Sequence, residues 1–420
     1  MRFDTLAAWL AWQETLHPRA IDLGLARVRQ VFDRLNLDAS LPLTLTVGGT
    51  NGKGSCVAML DSILRHAGYK VATYTSPHLL RYNERIRICG QEVDDNHICE
   101  AFERVDRSRG DITLSFFEFG TLAALDIFSS ETPDVQILEV GLGGRLDAVN
   151  LIDADAALVV TIDIDHQDWL GHTRDLIGLE KAGIFRPGHP AVLGDADPPM
   201  SLLEYIEERD VPLCRFGPDF DYRIDDGNWT WRSNDREIRA LPFPNLTGEH
   251  QLQNASAVLA LLHCVEARLP VTEEEIRAGL SNICLPGRFQ YFPGEVPLLL
   301  DVAHNPQAAR TLARQVRQRC GGQRVHAVFS VMRDKDIVGI VDAMREVVDE
   351  WHLAPLSVTR AATLADLMEI FRSQGIDRVC GGYPDTATAF AAARKQAGSK
   401  GWVLGFGSFY LVSEYLAHYG

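Results

Sequence analysis

The chain has 420 residues, of which 46% are hydrophobic and 23% charged, the balance of a globular protein long enough for two or three domains and a large core. With 41 basic against 57 acidic residues the formal net charge is −16. That excludes the broad basic face needed for nucleic acid or an anionic membrane, but leaves room for a local basic pocket.

The eight cysteines are dispersed, with no C-x-x-C and no pair at zinc-site spacing, and read as reduced thiols. Met1–Thr5 lacks a signal-peptide layout and no apolar run is long enough to cross a membrane, so a cytoplasmic location is expected.

Helices are expected over Leu6–Leu16 and Leu23–Leu35. The apolar strand Leu43–Val47 then runs into Val47-Gly48-Gly49-Thr50-Asn51-Gly52-Lys53-Gly54-Ser55, and a helix with Cys56, Leu60, Ile63, Leu64 and Ala67 on one face leaves it. A strand, a glycine-rich turn and a helix N-terminus carrying a lysine form a phosphate cradle. Backbone N–H groups and the helix dipole converge there, and Lys53 adds a full cation. The standard P-loop pattern wants glycine at 47 and a hydroxyl at 54; here Val47 and Gly54 stand there, and the hydroxyl follows at Ser55. The order of parts still selects a nucleotide polyphosphate over a plain turn.

Further along, Val71–Tyr74 reads as a strand, Thr75–His78 as a turn, and Arg81, Glu84, Arg85 and Arg87 as a charged surface able to bind carboxylates. Phe117–Phe128 reads as a helix, and Val135–Val140 and Ala156–Ile164 as buried parallel strands. Turn signals at Asp226-Gly227 and Ser233-Asn234 separate Tyr222–Ile224, Trp229–Trp231 and Ile238–Leu241, a small antiparallel excursion. A helix follows from His250 to Ala267, and Thr272-x-x-Glu275 is a capping box. Pro286-Gly287 and Pro293-Gly294 mark a linker at 286–295 between a domain at 1–285 and one at 296–420. The latter carries strands at Leu298–Val302, Arg324–Val331, Val379–Gly381 and Trp402–Gly405 alternating with helices, a smaller doubly wound α/β unit. It has no complete G-x-G-x-x-G, so dinucleotide binding is disfavoured.

Several residues could carry chemistry. Glu139 closes an apolar strand, where an acid is either a surface group or a Mg²⁺ ligand; the P-loop upstream favours the metal. His166 closes another between Asp163, Asp165 and Asp168, either as a structural histidine or as a ligand. By spacing alone Lys181 is a solvated helix lysine. Asn254 is either a helix-surface residue or a donor to purine or phosphate. Asp301 and His304 end a strand where a ligand could bind, while Asn305-Pro306 also makes an N-cap.

Seven segments, in order and over nearly the whole chain, resemble the folylpolyglutamate synthase family of Mur-ligase-like ATP-dependent ligases. They are Gly49–Ser55, Thr75–Leu79, Glu139–Asn150, Glu180–Ile184, His250-Gln251-x-x-Asn254-Ala255, Pro286–Arg288 and Asp301–Pro306. Val149 stands where the family often has threonine. Ile21–Leu25 resembles the bacterial bifunctional form, dihydrofolate synthase with folylpolyglutamate synthase.

The resemblance implies an α/β fold with a P-loop-containing, Mur-ligase-like central domain and a smaller Rossmann-like C-terminal domain. It implies ATP and two Mg²⁺ ions, with dihydropteroate, reduced folates and L-glutamate as partners; a monomer is expected, although the sequence does not fix the quaternary state. Gly49, Thr50, Asn51, Gly52, Lys53, Gly54 and Ser55 would cradle ATP, with Asn254, Arg288 and Asp301 as further contacts. Ser55, Ser76 and Glu139 would hold one Mg²⁺, and His166 with Glu139 a second. Lys181 would be carbamylated, making Lys53, Lys181 and His166 the catalytic group. Asp22, Leu23, Gly24, Leu25, Ser115, Phe116, Phe117, Glu118, Leu146, Asp147 and Ala148 would line the pterin pocket, and Asp301 and His304 the glutamate site. The alternatives are a monofunctional folylpolyglutamate synthase, a ligase of peptidoglycan precursors and a nucleotide-binding regulator. Gly54 before the hydroxyl speaks against the second, and the retained lysine and acids against the third.

Overall fold

The computed structural model describes residues 2–37 and 42–419. The chain divides into two compact units, Met1–Asn245 with Gln251–Cys284, and Leu246–His250 with Leu285–Gly420.

The first unit is built on an eight-stranded sheet. Its strands are β1 (Leu43–Gly48), β2 (Val71–Tyr74), β3 (Ile86–Ile88), β4 (Gln91–Glu92), β5 (Val135–Glu139), β6 (Ala156–Val159), β7 (Ala191–Leu193) and β8 (Leu213–Arg215). They lie in the order β4-β3-β2-β5-β1-β6-β7-β8. Pairing is parallel from β2 to β8, with β3 and β4 added antiparallel at one edge. Every residue of β1 and β5 is buried, as expected of central strands covered on both faces. Thr44 can sit in β1 because Gln136 Nε2 donates to its hydroxyl at 2.8 Å.

The sheet order reverses around β1, the topological switch point at which open α/β sheets bind ligands. Chain leaving β1 crosses to β2 on one side, whereas β6 lies on the other. The helix leaving β1, Lys53–His66, is pinned from behind: Ser62 Oγ donates to Gly279 O at 2.7 Å. Gly279 belongs to the helix Glu273–Ser281, opened by the capping box of Thr272 and Glu275. A separate antiparallel sheet of β9 (Phe220–Ile224), β10 (Trp229–Ser233) and β11 (Glu237–Leu241) is tied to the helix His250–Cys264 by Trp231 Nε1 donating to Ser256 O at 3.1 Å.

The second unit carries β12 (Gln290–Phe292), β13 (Leu298–Leu300), β14 (Arg324–Phe329), β15 (Glu350–Leu353), β16 (Val379–Cys380) and β17 (Gly401–Phe406), in the order β12-β13-β17-β14-β15-β16. All pairs are parallel except β12–β13. Leu299, Val325, Ala327, Phe329, Trp351, Leu404 and Phe406 form its core.

Some elements depart from the sequence reading. The second helix begins at Ala26, because Gly24 N instead donates to Leu146 O at 3.2 Å and holds the preceding residues in a loop. The stretch 286–295 contains β12, paired with β13. Arg85 is not a surface charge. It is buried, donates to His78 Nδ1 at 2.8 Å and lies over the rings of Tyr82 and Phe116. Glu84 is likewise a loop organiser, accepting from the backbone N–H groups of Leu79, Leu80 and Arg81.

Candidate active site

The chain turns after β1 through Gly49, at φ 145°, and Gly52, at φ 87°. Gly52 cannot be replaced freely: a Cβ there would lie 2.8 Å from Val160 Cγ1 and 3.0 Å from Asn254 Oδ1. The loop is fastened to the segment after β6. Thr50 N donates to Thr161 O at 2.8 Å, Thr50 Oγ1 to Asp163 O at 3.1 Å, and Asn51 N to Thr161 Oγ1 at 3.0 Å. Lys53 opens the helix, and its ammonium donates to Gly49 O at 3.0 Å and Thr50 O at 3.3 Å. These bonds shape the loop and fold a cation over its mouth.

Strand register places the acid. Glu139 pairs with Val47 at the C-terminal ends of β5 and β1, is buried, and accepts from Ser76 N at 3.2 Å. Ser55 is buried one turn into the P-loop helix, where Gln251 Nε2 donates to its Oγ at 3.3 Å. Asn254 Nδ2 donates to Gln251 Oε1 at 2.9 Å. Buried hydroxyl and carboxylate oxygens beside a phosphate cradle are the hard donor set that Mg²⁺ prefers.

Lys181 is buried at the end of the helix Arg174–Ala182. Burial, with the like charge of Lys53, lowers its pKa to about 7 against the pull of Asp165 and Asp147. Asp147 is buried too. Desolvation pushes it up to about 7, although its carboxylate accepts from Leu142 N at 2.8 Å and Val149 N at 3.1 Å. Lys53, Asp147, Asp165 and Lys181 are thus one electrostatic group. The reading of Lys181 as solvated by spacing alone is overturned. The glycine-rich loop 141–146 makes this possible: Arg145 N donates to Glu180 O at 2.8 Å, and a Cβ on Gly144 would lie 2.7 Å from that oxygen. His166 caps the short helix Gln167–Leu170 in a left-handed conformation, φ 51°, with Nε2 4.0 Å from the Asp165 carboxylate. Such a conformation costs energy in a non-glycine residue and clusters at functional sites.

Three distant segments meet nearby. Arg27 donates to the Asp22 carboxylate and, through Nε, to Glu118 Oε2 at 3.0 Å. Glu118 also accepts from Ser115 N at 2.7 Å as the capping box of the helix Phe116–Glu131. The hydrogen bond between Gly24 and Leu146 joins the third segment, which continues into Asp147 and Ala148. Phe117 stacks at a tilt on Tyr74, with centroids 5.8 Å apart. Leu23 and Leu25 flank Gly24 in the first segment and Phe116 precedes Phe117 in the second.

In the second unit Asp301 is half-buried, and its pKa is raised by desolvation although Arg288 opposes the rise; it accepts from Phe289 N at 2.8 Å and Ala303 N at 2.7 Å. His304 Nδ1 lies 2.9 Å from Val302 O, and Asn305 caps the helix Pro306–Cys320. Phe409 joins this group, its ring 5.5 Å from the Arg288 guanidinium and 5.8 Å from the His304 ring. Sequence reasoning missed Phe409, Gln251, Thr161 and Arg27. Gln251, in the segment that carries Asn254, and Arg27, a cation just beyond the Gly24 turn, offered local signals.

The Mur ligase middle domain family matches residues 47–262, and the Mur ligase glutamate ligase domain family matches 287–409. The dihydrofolate synthase/folylpolyglutamate synthase of Escherichia coli is 42% identical over 97% of this chain and 94% of its own. That of Haemophilus influenzae is 36% identical over 98% and 97%. The solved structure of E. coli FolC in complex with DHPP and ADP superposes with a TM-score of 0.93 at 41% identity, covering 99% of this chain and 97% of that one. A bifunctional folylpolyglutamate synthase/dihydrofolate synthase with Mn, AMPPNP and L-glutamate bound gives 0.91 at 43%, over 99% and 98%. Fold and site together define an ATP-dependent ligase built from Mur ligase domains. Within that class the chain belongs to the bifunctional dihydrofolate synthase/folylpolyglutamate synthase family.

Proposed function

We propose that the chain joins L-glutamate to dihydropteroate, forming dihydrofolate, and to reduced folates, forming polyglutamates, at the expense of ATP. The observation that carries this reading is the convergence of the Lys53 cradle, buried Glu139 and the group formed by Asp22, Arg27, Glu118 and Leu146 within one unit. The substrate carboxylate attacks the γ-phosphate, giving an acyl phosphate and ADP. The glutamate amine then attacks the acyl carbon and phosphate leaves. Gly49–Ser55 hold the phosphates, and Lys53 swings from its carbonyl partners to neutralise developing charge. Asn254, Arg288 and Asp301 are proposed as further ATP contacts, and Asp301 with His304 as glutamate contacts.

Ser55, Ser76 and Glu139 would hold one Mg²⁺, and His166 with Glu139 a second. Bound there, the ions would screen phosphate charge and orient the γ-phosphoryl group. Lys181, with a pKa lowered to about 7, keeps a share of neutral amine near pH 7 whose lone pair can add CO₂ with loss of a proton to give a carbamate; carbamylation would set an anion beside Asp165. Leu23–Leu25, Ser115–Glu118 and Leu146–Ala148 would line the pterin pocket, and Asp22 would be held there by Arg27. A cytoplasmic monomer divided at 1–285 and 296–420, with 286–295 as linker, completes the reading. No helix of the described residues is long and apolar enough to cross a membrane. The test is ADP release, which should require both a pterin acceptor and glutamate; release with ATP and Mg²⁺ alone at the full rate would overturn the reading.

A further inference from the structure

β15 is a polar strand in an apolar sheet. Its register sets His326 of β14 opposite Glu350, and His352 opposite Cys380 of β16. Paired residues of a parallel ladder share a face, as do Glu350 and His352, two apart along one strand. Two imidazoles, a carboxylate and a thiol therefore project from one face of three neighbouring strands. Donor atoms of His326, Glu350 and His352 all lie within 4.8 Å of one another, the one such group of three among the described residues.

Both histidines are buried, at 3% and 0% exposure, and His326 Nδ1 and His352 Nε2 have no hydrogen-bond partner. An unpaired buried polar atom is costly. The other nitrogen of His352 is engaged: Nδ1 lies 2.8 Å from the Tyr383 hydroxyl. That is the arrangement of a metal-ligating histidine, in which an outer partner fixes one nitrogen and leaves the other for the ion. Glu350 Oε2 lies 3.7 Å from His326 Nδ1, and Cys380 Sγ lies 3.5 Å from Glu350 Oε1. Glu350 keeps 27% of its side chain exposed, a route for entry.

We propose that His326, Glu350 and His352, with Cys380 as fourth donor, bind one divalent transition-metal ion of the zinc class. Nitrogen, oxygen and sulfur donors in this number suit a closed tetrahedral site rather than Mg²⁺. Tetrahedral coordination sets donors about 3.3 Å apart, so binding draws the three donors inward and brings in Cys380, which stands outside their 4.8 Å group, from beside Glu350. His326 and Glu350 lie in the N-terminal halves of β14 and β15 and His352 one pleat further on, whereas Asp301 and His304 follow the C-terminal end of β13. The ion would fasten the two-residue edge strand β16 to β15 and β14, a structural role. Sequence spacing hid the site because its ligands come from three strands far apart in the chain.

The test uses the full-length protein, stripped with chelator, loaded with Co²⁺ and freed of excess by gel filtration. About one equivalent should remain, with the visible absorption of four-coordinate Co²⁺ and a thiolate charge-transfer band. A Glu139→Ala, His166→Ala variant should keep that equivalent, which separates this site from the proposed Mg²⁺ ligands. His326→Gln with His352→Gln should lose it while retaining Mg²⁺-dependent ligase activity. Should that pair fail to fold, Glu350→Gln must lose the tetrahedral spectrum, and Tyr383→Phe should weaken binding roughly 10–100-fold. No retained Co²⁺ in the parent protein, or retention lost only with Glu139 and His166, would overturn the proposal.

Discussion

In the proposed mechanism three side chains carry most of the chemistry. Lys53 covers the phosphate cradle with a full cation in the proposed mechanism, so Lys53→Ala should cost about 3–4 kcal/mol of transition-state stabilisation, on the order of 10²–10³-fold in kcat, with an unchanged circular dichroism spectrum. Near-parental turnover would remove it from the mechanism. Glu139→Ala should shift the Mg²⁺ dependence of activity to higher concentration, since a hard-oxygen ligand is lost; a superimposable titration would contradict the assignment. Lys181 makes a pH prediction. Its pKa falls from 10.5 to about 7 on folding, so between those values the unfolded chain binds more protons than the folded one. The contribution of Lys181 to stability should therefore rise with pH across that window and be flat below it. By the same shift, its ¹³C carbamate signal in labelled bicarbonate should fade as pH drops through about 7, and Lys181→Met should abolish it. A signal persisting unchanged at pH 5 would contradict the assignment.

Among the elements, the turn from β1 into the helix Lys53–His66 is the most constrained. Gly52→Ala would force a side chain into a left-handed backbone against Val160 and Asn254. It should cost about 1–2 kcal/mol in stability and raise the KM for ATP, measured by urea unfolding and initial rates; parental values for both would show that the loop tolerates a Cβ. This turn was legible in the sequence because strand, glycines, lysine and helix are contiguous. So were the capping box at Thr272 and the excursion around Trp229, whose signals are also local. The surroundings of Lys181 were not, since what buries it is a loop more than thirty residues upstream, through Arg145 and Glu180. The bridge from Arg27 to Glu118 spans 91 residues and left no trace in any window. β15 escaped for another reason: Glu350 and His352 break the apolar run by which buried parallel strands are read.

For the whole molecule, the eight- and six-stranded sheets and two matched domain families account for a ligase. The segments around Asp22, Glu118 and Leu146, proposed above to line the pterin pocket, bear on the bifunctional reading against a synthase that only extends folates. The most direct measurement is incorporation of radiolabelled glutamate in the presence of ATP and Mg²⁺, with dihydropteroate and tetrahydrofolate offered separately. The account predicts labelled product from each acceptor, with one ADP formed per glutamate joined. Label entering tetrahydrofolate alone would refute the double activity, and label entering neither would refute the ligase.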